Sequence, residues 1–149
     1  MKGNFIYLLL GIIAGFVVSA QPGMNSVLDR KLGGPIIAST ISFLVGSIAL
    51  ILLIMVLRIS LPDWTSIKSV PWWAWLGGLL GAFFVIITVI LAPKVGATTL
   101  MAVVLAGQVV ASLLYDQFGL LGFPVHPVSL LRIIGIIFIF VGLYFVNKF

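Results

Sequence analysis

Long apolar runs, separated by short stretches rich in proline, glycine and charge, make up almost the whole chain. Runs such as IALILLIMVL do not alternate polar and apolar residues, which argues against membrane β-strands and for helices. A helix rising about 1.5 Å per residue needs roughly 20 residues to cross a hydrocarbon layer of about 30 Å. Five runs approach or exceed that length, predicting helices from Asn4 to Leu28, Pro35 to Leu57, Trp72 to Ala92, Gly96 to Tyr115 and Leu130 to Asn147. The fold class expected is an all-α polytopic membrane protein, with residues 1–149 forming a single five-helix membrane domain.

Composition supports lipid as the solvent. With 62% hydrophobic and 7% charged residues and a mean hydropathy of +1.36, a chain of this size cannot hide its apolar surface in one water-soluble core. The absence of cysteine excludes disulfides, thiolate catalysis and cysteine-ligated metals, and the lone His126 cannot build a metal site. No cofactor or metal is called for. The net charge of +5 comes from basic residues at the ends of spans, which suits anionic lipid headgroups rather than nucleic acid.

Proline and glycine divide the runs. Gly33-Gly34-Pro35 ends one connection and starts a helix, and Ala92-Pro93-Lys94 reads as a tight stop. The segments RISLPDWTSIKSVP and DQFGLLGFPVHPVS read as surface loops, with Asp29 and Asp63 as solvated loop charges and His126 as a loop residue. Trp64, Trp72, Trp73 and Trp75 cluster on one side, as amphipathic rings do at headgroup level. Lys2, Arg58, Lys68 and Arg132 fall on the N-terminal side, and Arg30, Lys31, Lys94 and Lys148 on the other. Lysine and arginine bias normally orients a membrane protein. An even balance predicts dual topology, and an odd number of spans resembling one half of an inverted repeat predicts an antiparallel homodimer. A homologous five-helix chain of opposite orientation is the alternative partner.

Polar residues at mid-membrane are the candidate site. Gln21 precedes Asp29 by eight residues and Gln108 precedes Asp116 by eight, about 12 Å in each case, so both amides lie near the midplane. An unpartnered amide in hydrocarbon costs several kcal/mol, so each is expected to face protein or a wet cavity. Gly11, Ala14, Val18, Gln21 and Asn25 share one helical stripe. Pro22 breaks the helix and deprives the Val18 carbonyl of its donor. Gln21, Asn25 and Gln108 are therefore the expected substrate-binding residues. Interhelical hydrogen bonding, with Pro22 a simple kink, is the competing role.

The stretch VSAQPGMN also fits a signal-peptidase site after Ala20, but cleavage would discard the first helix, so an uncleaved chain is expected. Gly11 with Gly15, Gly77 with Gly81, Ser42 with Gly46, and Gly107 with Ala111 are small-residue pairs that let helices approach. Asp116, ending the fourth helix where the dipole disfavours an anion, needs a cation or proton; Arg132 can supply the cation, and ion coupling is the other role for Asp116. Too few acids, bases and nucleophiles are present for an intramembrane enzyme.

Several segments together resemble the short, five-helix YdcZ-like branch of the drug/metabolite transporter superfamily: AQPGMNSVLDRKLGGP, ISFLVGS, PWWAWLGGLLGAFFV, LAPKVGATT, AGQVVASLLYDQFGLLG and LRIIGIIFIFVGLYFV. The resemblance covers nearly the whole chain. It implies a secondary transporter or exporter in a bacterial inner membrane, half the size of ten-helix relatives. It also places Gln21, Pro22 and Asn25 on the branch's first-helix motif, and Gly107, Gln108 and Asp116 on its fourth-helix motif. Four-helix multidrug transporters of the superfamily use a first-helix glutamate; this chain has no carboxylate before Asp29. A neutral, zwitterionic or amphipathic small solute is therefore expected, moved by alternating access. The reading from another class is a scaffold or accessory subunit that packs against partner helices without transport.

Overall fold

A computed structural model describes residues 2–148, with side chains from 5 to 148. Helix α1 covers Lys2–Ser19, α2 Gln21–Leu32, α3 Pro35–Val56, α4 Trp64–Ser69, α5 Gly77–Val95, α6 Ala97–Phe118 and α7 Leu130–Lys148. A 3₁₀ turn at Trp72–Leu76 leads into α5. Five spans are long and apolar enough to cross a membrane: 5–32, formed by α1 and α2 together, then 35–56, 72–95, 97–118 and 130–148. The five-span, all-α architecture agrees with the hydropathy pattern.

Several boundaries differ from the expectation, each for a local reason. The first span does not stop at Leu28: Asp29, Arg30 and Lys31 are helical. Two cations in the last turn of α2 suit the negative end of the helix dipole. The stop comes at Gly33, whose φ of +96° is a left-handed cap that glycine adopts without strain. Pro93 does not end its helix but lies inside α5, two residues before its end. Gly119, with φ of +60°, sets the end of α6 after Phe118, so Asp116 and Gln117 lie in its last turn. A Cβ at Gly119 would also come within 2.8 Å of Val125.

The connection after α3 contains a helix that hydropathy alone does not reveal. Asp63 caps α4 by accepting the Ser66 N–H at 3.0 Å, and Thr65 donates its hydroxyl to the same carboxylate. Hydrogen bonding by Ser66, then by Thr65, holds the Asp63 carboxyl down to about 2. Trp64 on α4 carries the Lys68 ammonium 5.5 Å from its ring centroid. Trp72, Trp73 and Trp75 of the 3₁₀ turn are exposed as well, consistent with an interfacial belt.

The chain divides into two compact units, residues 1–94 and 95–149. In the first, α2 packs against α1 and α3, and the buried positions include Asn25, Ser26, Ser39 and Thr88 beside Ala38, Val85 and Val89. Phe16, at 80% exposure, shows the opposite side of this distribution. Polar side chains inside and large apolar ones outside suit a bilayer, where hydrocarbon solvates the surface and polar groups turn inward. In the second unit α6 and α7 pack together as a helical hairpin.

Candidate solute-binding site

The polar part of the first span is built around an interruption at Ala20. There the Ala20 N–H donates to Val17 O at 3.3 Å, tightening the last turn of α1, and Ala20 O accepts from Met24 N at 3.1 Å to open α2. Ala20 keeps right-handed angles (φ −76°, ψ −26°), so the chain continues in the same direction. Pro22 was expected to break the helix. It instead occupies the first turn of α2, where a missing N–H costs least, and the interruption precedes it.

Gln21 and Asn25, one turn apart, lie on the same face of α2. Asn25 is only 3% exposed, and its side-chain Nδ2 is buried with no hydrogen-bond partner among the described residues. An orphaned amide of this kind costs about 1–3 kcal/mol until something supplies an acceptor. Gln21, half-buried, borders two grooves. One, of about 250 Å³, runs along α3 past Ser42, Phe43, Gly46, Ser47 and Leu50. The other, of about 600 Å³, follows α1 past Leu10, Ile13, Ala14, Val17 and Val18, with Met24 at its end. The small pair Ser42 and Gly46 thus lines a groove beside Gln21.

One site residue escaped the sequence reading. Pro93 lacks the N–H that would serve the Val89 carbonyl one turn earlier in α5. The Ser26 hydroxyl donates to Pro22 O in its own helix at 2.8 Å and shares the same proton with the Val89 oxygen at 3.2 Å. Ser26 is 4% exposed and Val89 fully buried. A serine of α2 thereby satisfies the carbonyl that a proline in α5 leaves open. The signal was present in principle, since a proline inside a helix always frees the carbonyl four residues before it. Nothing in the linear order says that Ser26 supplies the donor.

In the second unit Gln108 is exposed on α6 and its side chain makes no hydrogen bond to another described residue. Measured to the end of each span, Gln21 lies about 16 Å inside Leu32 and Gln108 about 15 Å inside Phe118. Either depth is about half of a hydrocarbon layer. Asp116 has the cation its place on the helix demands, because Arg132 Nη1 reaches its Oδ2 at 3.1 Å and also donates to His126 O at 3.3 Å. The loop is pinned to the end of α6 by His126 N–H donating to Asp116 O at 2.8 Å and Val128 N–H donating to Gln117 Oε1 at 2.7 Å. Tyr115 stacks on Phe123 with centroids 6.2 Å apart.

Of the glycines read as helix contacts, Gly81 has an intrachain neighbour: a Cβ there would lie 3.3 Å from the Phe43 ring. At Gly11, Gly15, Gly77 and Gly107 a Cβ would meet nothing within 4 Å beyond its own helix among the described residues. Asp29, expected in a loop, is part of α2.

A helical chain with five spans long and apolar enough to cross a membrane, the first interrupted and carrying polar side chains, defines the class as a polytopic membrane protein. Residues 6–145 match the family described as "Putative inner membrane exporter, YdcZ". The Inner membrane protein YdcZ of Escherichia coli (strain K12) is 37% identical over 82 residues, covering 55% of this chain and 54% of that protein. The aligned part thus spans about half the length of that relative. No solved structure matches the chain. With its match running almost end to end, the chain belongs to the YdcZ family of inner-membrane proteins within the drug/metabolite transporter group.

Proposed function

We propose that the protein is a secondary transporter that exports a small organic solute across the inner membrane by alternating access. The observation that carries this reading is the pair Gln21 and Asn25, with an amide buried and unpartnered at Asn25 and a half-buried amide at Gln21 facing two grooves. Polar groups held without partners at membrane depth fit a site completed by a ligand. Gln108, exposed in its own span, is proposed as a separate solute-contacting residue. Its amide needs a polar neighbour that a second chain or a wet cavity would supply. The even charge balance supports an antiparallel homodimer, in which each copy contributes Gln21 and Asn25 to solute contacts. Asp116 is engaged by Arg132 and stands outside the proposed solute contacts.

Proteoliposomes loaded with a mixture of small neutral and zwitterionic metabolites, with the released fraction identified by mass spectrometry, test the reading. The wild type should release a restricted set of solutes, and Gln21→Ala should reduce that release at least tenfold while leaving assembly intact. Equal release from loaded empty liposomes would remove transport and favour the scaffold role. Loss of assembly together with release would make Gln21 interhelical glue.

A further inference from the structure

The second unit contains a groove that the proposed transport site does not use. It is about 300 Å³ and runs between α6 and α7, with Asp116 and Arg132 at one end. Its walls are Val109 and Leu113 from α6, and Ile136 and Ile139 from α7. From Asp116 back to Val109, and from Arg132 on to Ile139, is seven residues, so the groove extends about 10 Å from an ion pair into apolar surface. A charged end at the helix termini and an apolar trough descending between two membrane spans match the division of a phospholipid into headgroup and acyl chain.

The chemistry of the charged end is more specific than a basic patch. Both Nη1 protons of Arg132 are engaged, one by Asp116 Oδ2 and one by His126 O. Its Nε–H and both Nη2–H donors remain open, on a side chain 41% exposed. Asp116 uses Oδ2 for Arg132, and its Oδ1 remains open as an acceptor at 31% side-chain exposure. Three open N–H donors and an open anionic acceptor side by side complement a zwitterion: phosphate against the guanidinium, ammonium against the carboxylate. We infer that the groove between α6 and α7 binds one phospholipid with a primary-ammonium headgroup, its phosphate on Arg132, its ammonium on Asp116, and an acyl chain along Val109, Leu113, Ile136 and Ile139.

A phospholipid carrying only an anionic headgroup would satisfy Arg132 but face Asp116 with like charge. A quaternary ammonium headgroup would present no N–H to Oδ1. The site therefore selects a primary amine over both.

Native mass spectrometry of the detergent-purified protein, titrated with phosphatidylethanolamine, phosphatidylglycerol or phosphatidylcholine, tests this inference. Phosphatidylethanolamine should be retained in preference to the other two. Arg132→Gln should lower its retention about fivefold, the equivalent of about 1 kcal/mol per basic residue at a headgroup. Asp116→Asn should abolish the preference for ethanolamine over glycerol. Since these variants also disturb the loop, Gly135→Leu supplies an independent arm. Gly135 borders the groove and a Cβ there meets nothing within 4 Å, so the new side chain fills the trough and leaves the ion pair intact. It should displace the lipid without loss of folded protein. Equal retention of the three lipids by the wild type, or unchanged retention by Gly135→Leu, would overturn the inference. Full competition by deacylated glycerophosphoethanolamine would also overturn it, assigning the groove to a soluble zwitterion.

Discussion

The hydrogen bond between Ser26 and Val89 O should be worth measurably more in the presence of Pro93 than in its absence. In the wild type Val89 is fully buried, its carbonyl has no donor from Pro93, and the Ser26 hydroxyl lies 3.2 Å away. Ser26→Ala would leave this acceptor orphaned. Pro22 O, the other neighbour of the hydroxyl, keeps the helical N–H of residue 26 in either case. An orphaned buried acceptor costs about 1–3 kcal/mol, whereas side-chain hydrogen bonds in membrane proteins average about 0.6 kcal/mol. Burial of Val89 within protein places the expected cost of Ser26→Ala at about 1–2 kcal/mol. Pro93→Ala restores an N–H one turn after Val89, and in that background the cost of Ser26→Ala should fall to about 0.5 kcal/mol or less. The four proteins form a double-mutant cycle, measured by reversible unfolding in mixed micelles of mild and denaturing detergent. Equal costs in both backgrounds would refute the idea that Ser26 compensates for Pro93.

Three further outcomes follow from the same structure. Gly81→Leu should destabilise the fold by about 1–3 kcal/mol because Phe43 occupies the space, whereas Gly11→Leu, which meets open space, should leave the monomer's unfolding midpoint unchanged and weaken association if that face holds a second copy. A single cysteine at Asn147, in a chain that has none, should be labelled by a membrane-impermeant reagent in about half the molecules in intact cells if topology is dual; labelling of nearly all or none would mean a fixed orientation. Asp63 is held below its ordinary value of 3.8 in the folded state, at about 2. Its contribution to capping α4 is thus complete above about pH 4 and lost as pH falls through about 2. Protection of the α4 amides, taken as the exchange rate relative to the intrinsic rate at each pH, should fall as pH drops over that interval and should be equally low in Asp63→Ala at neutral pH.

The hydropathy pattern by itself determined the class, the five spans and their order, because the bilayer imposes one length and one polarity on every crossing segment. It also singled out Gln21, Pro22 and Asn25, since polar residues within an apolar run stand out without any knowledge of their neighbours. Asp116 with Arg132 was legible for a similar reason: an anion at a helix C-terminus needs a cation, and the next helix begins with one. The helix ends were less legible. Arg30 and Lys31 look like loop residues by polarity but complement the α2 dipole, and Pro93 looks like a stop although the helix continues past it. Only tertiary structure decided that Ser26 answers the proline in α5, that Ser42 and Gly46 border the groove at Gln21, and that the Asn25 amide is left without a partner. Those facts depend on the rotation of each helix about its axis. In a chain whose spans are apolar nearly all round, the sequence period constrains that rotation weakly, and packing between helices sets it.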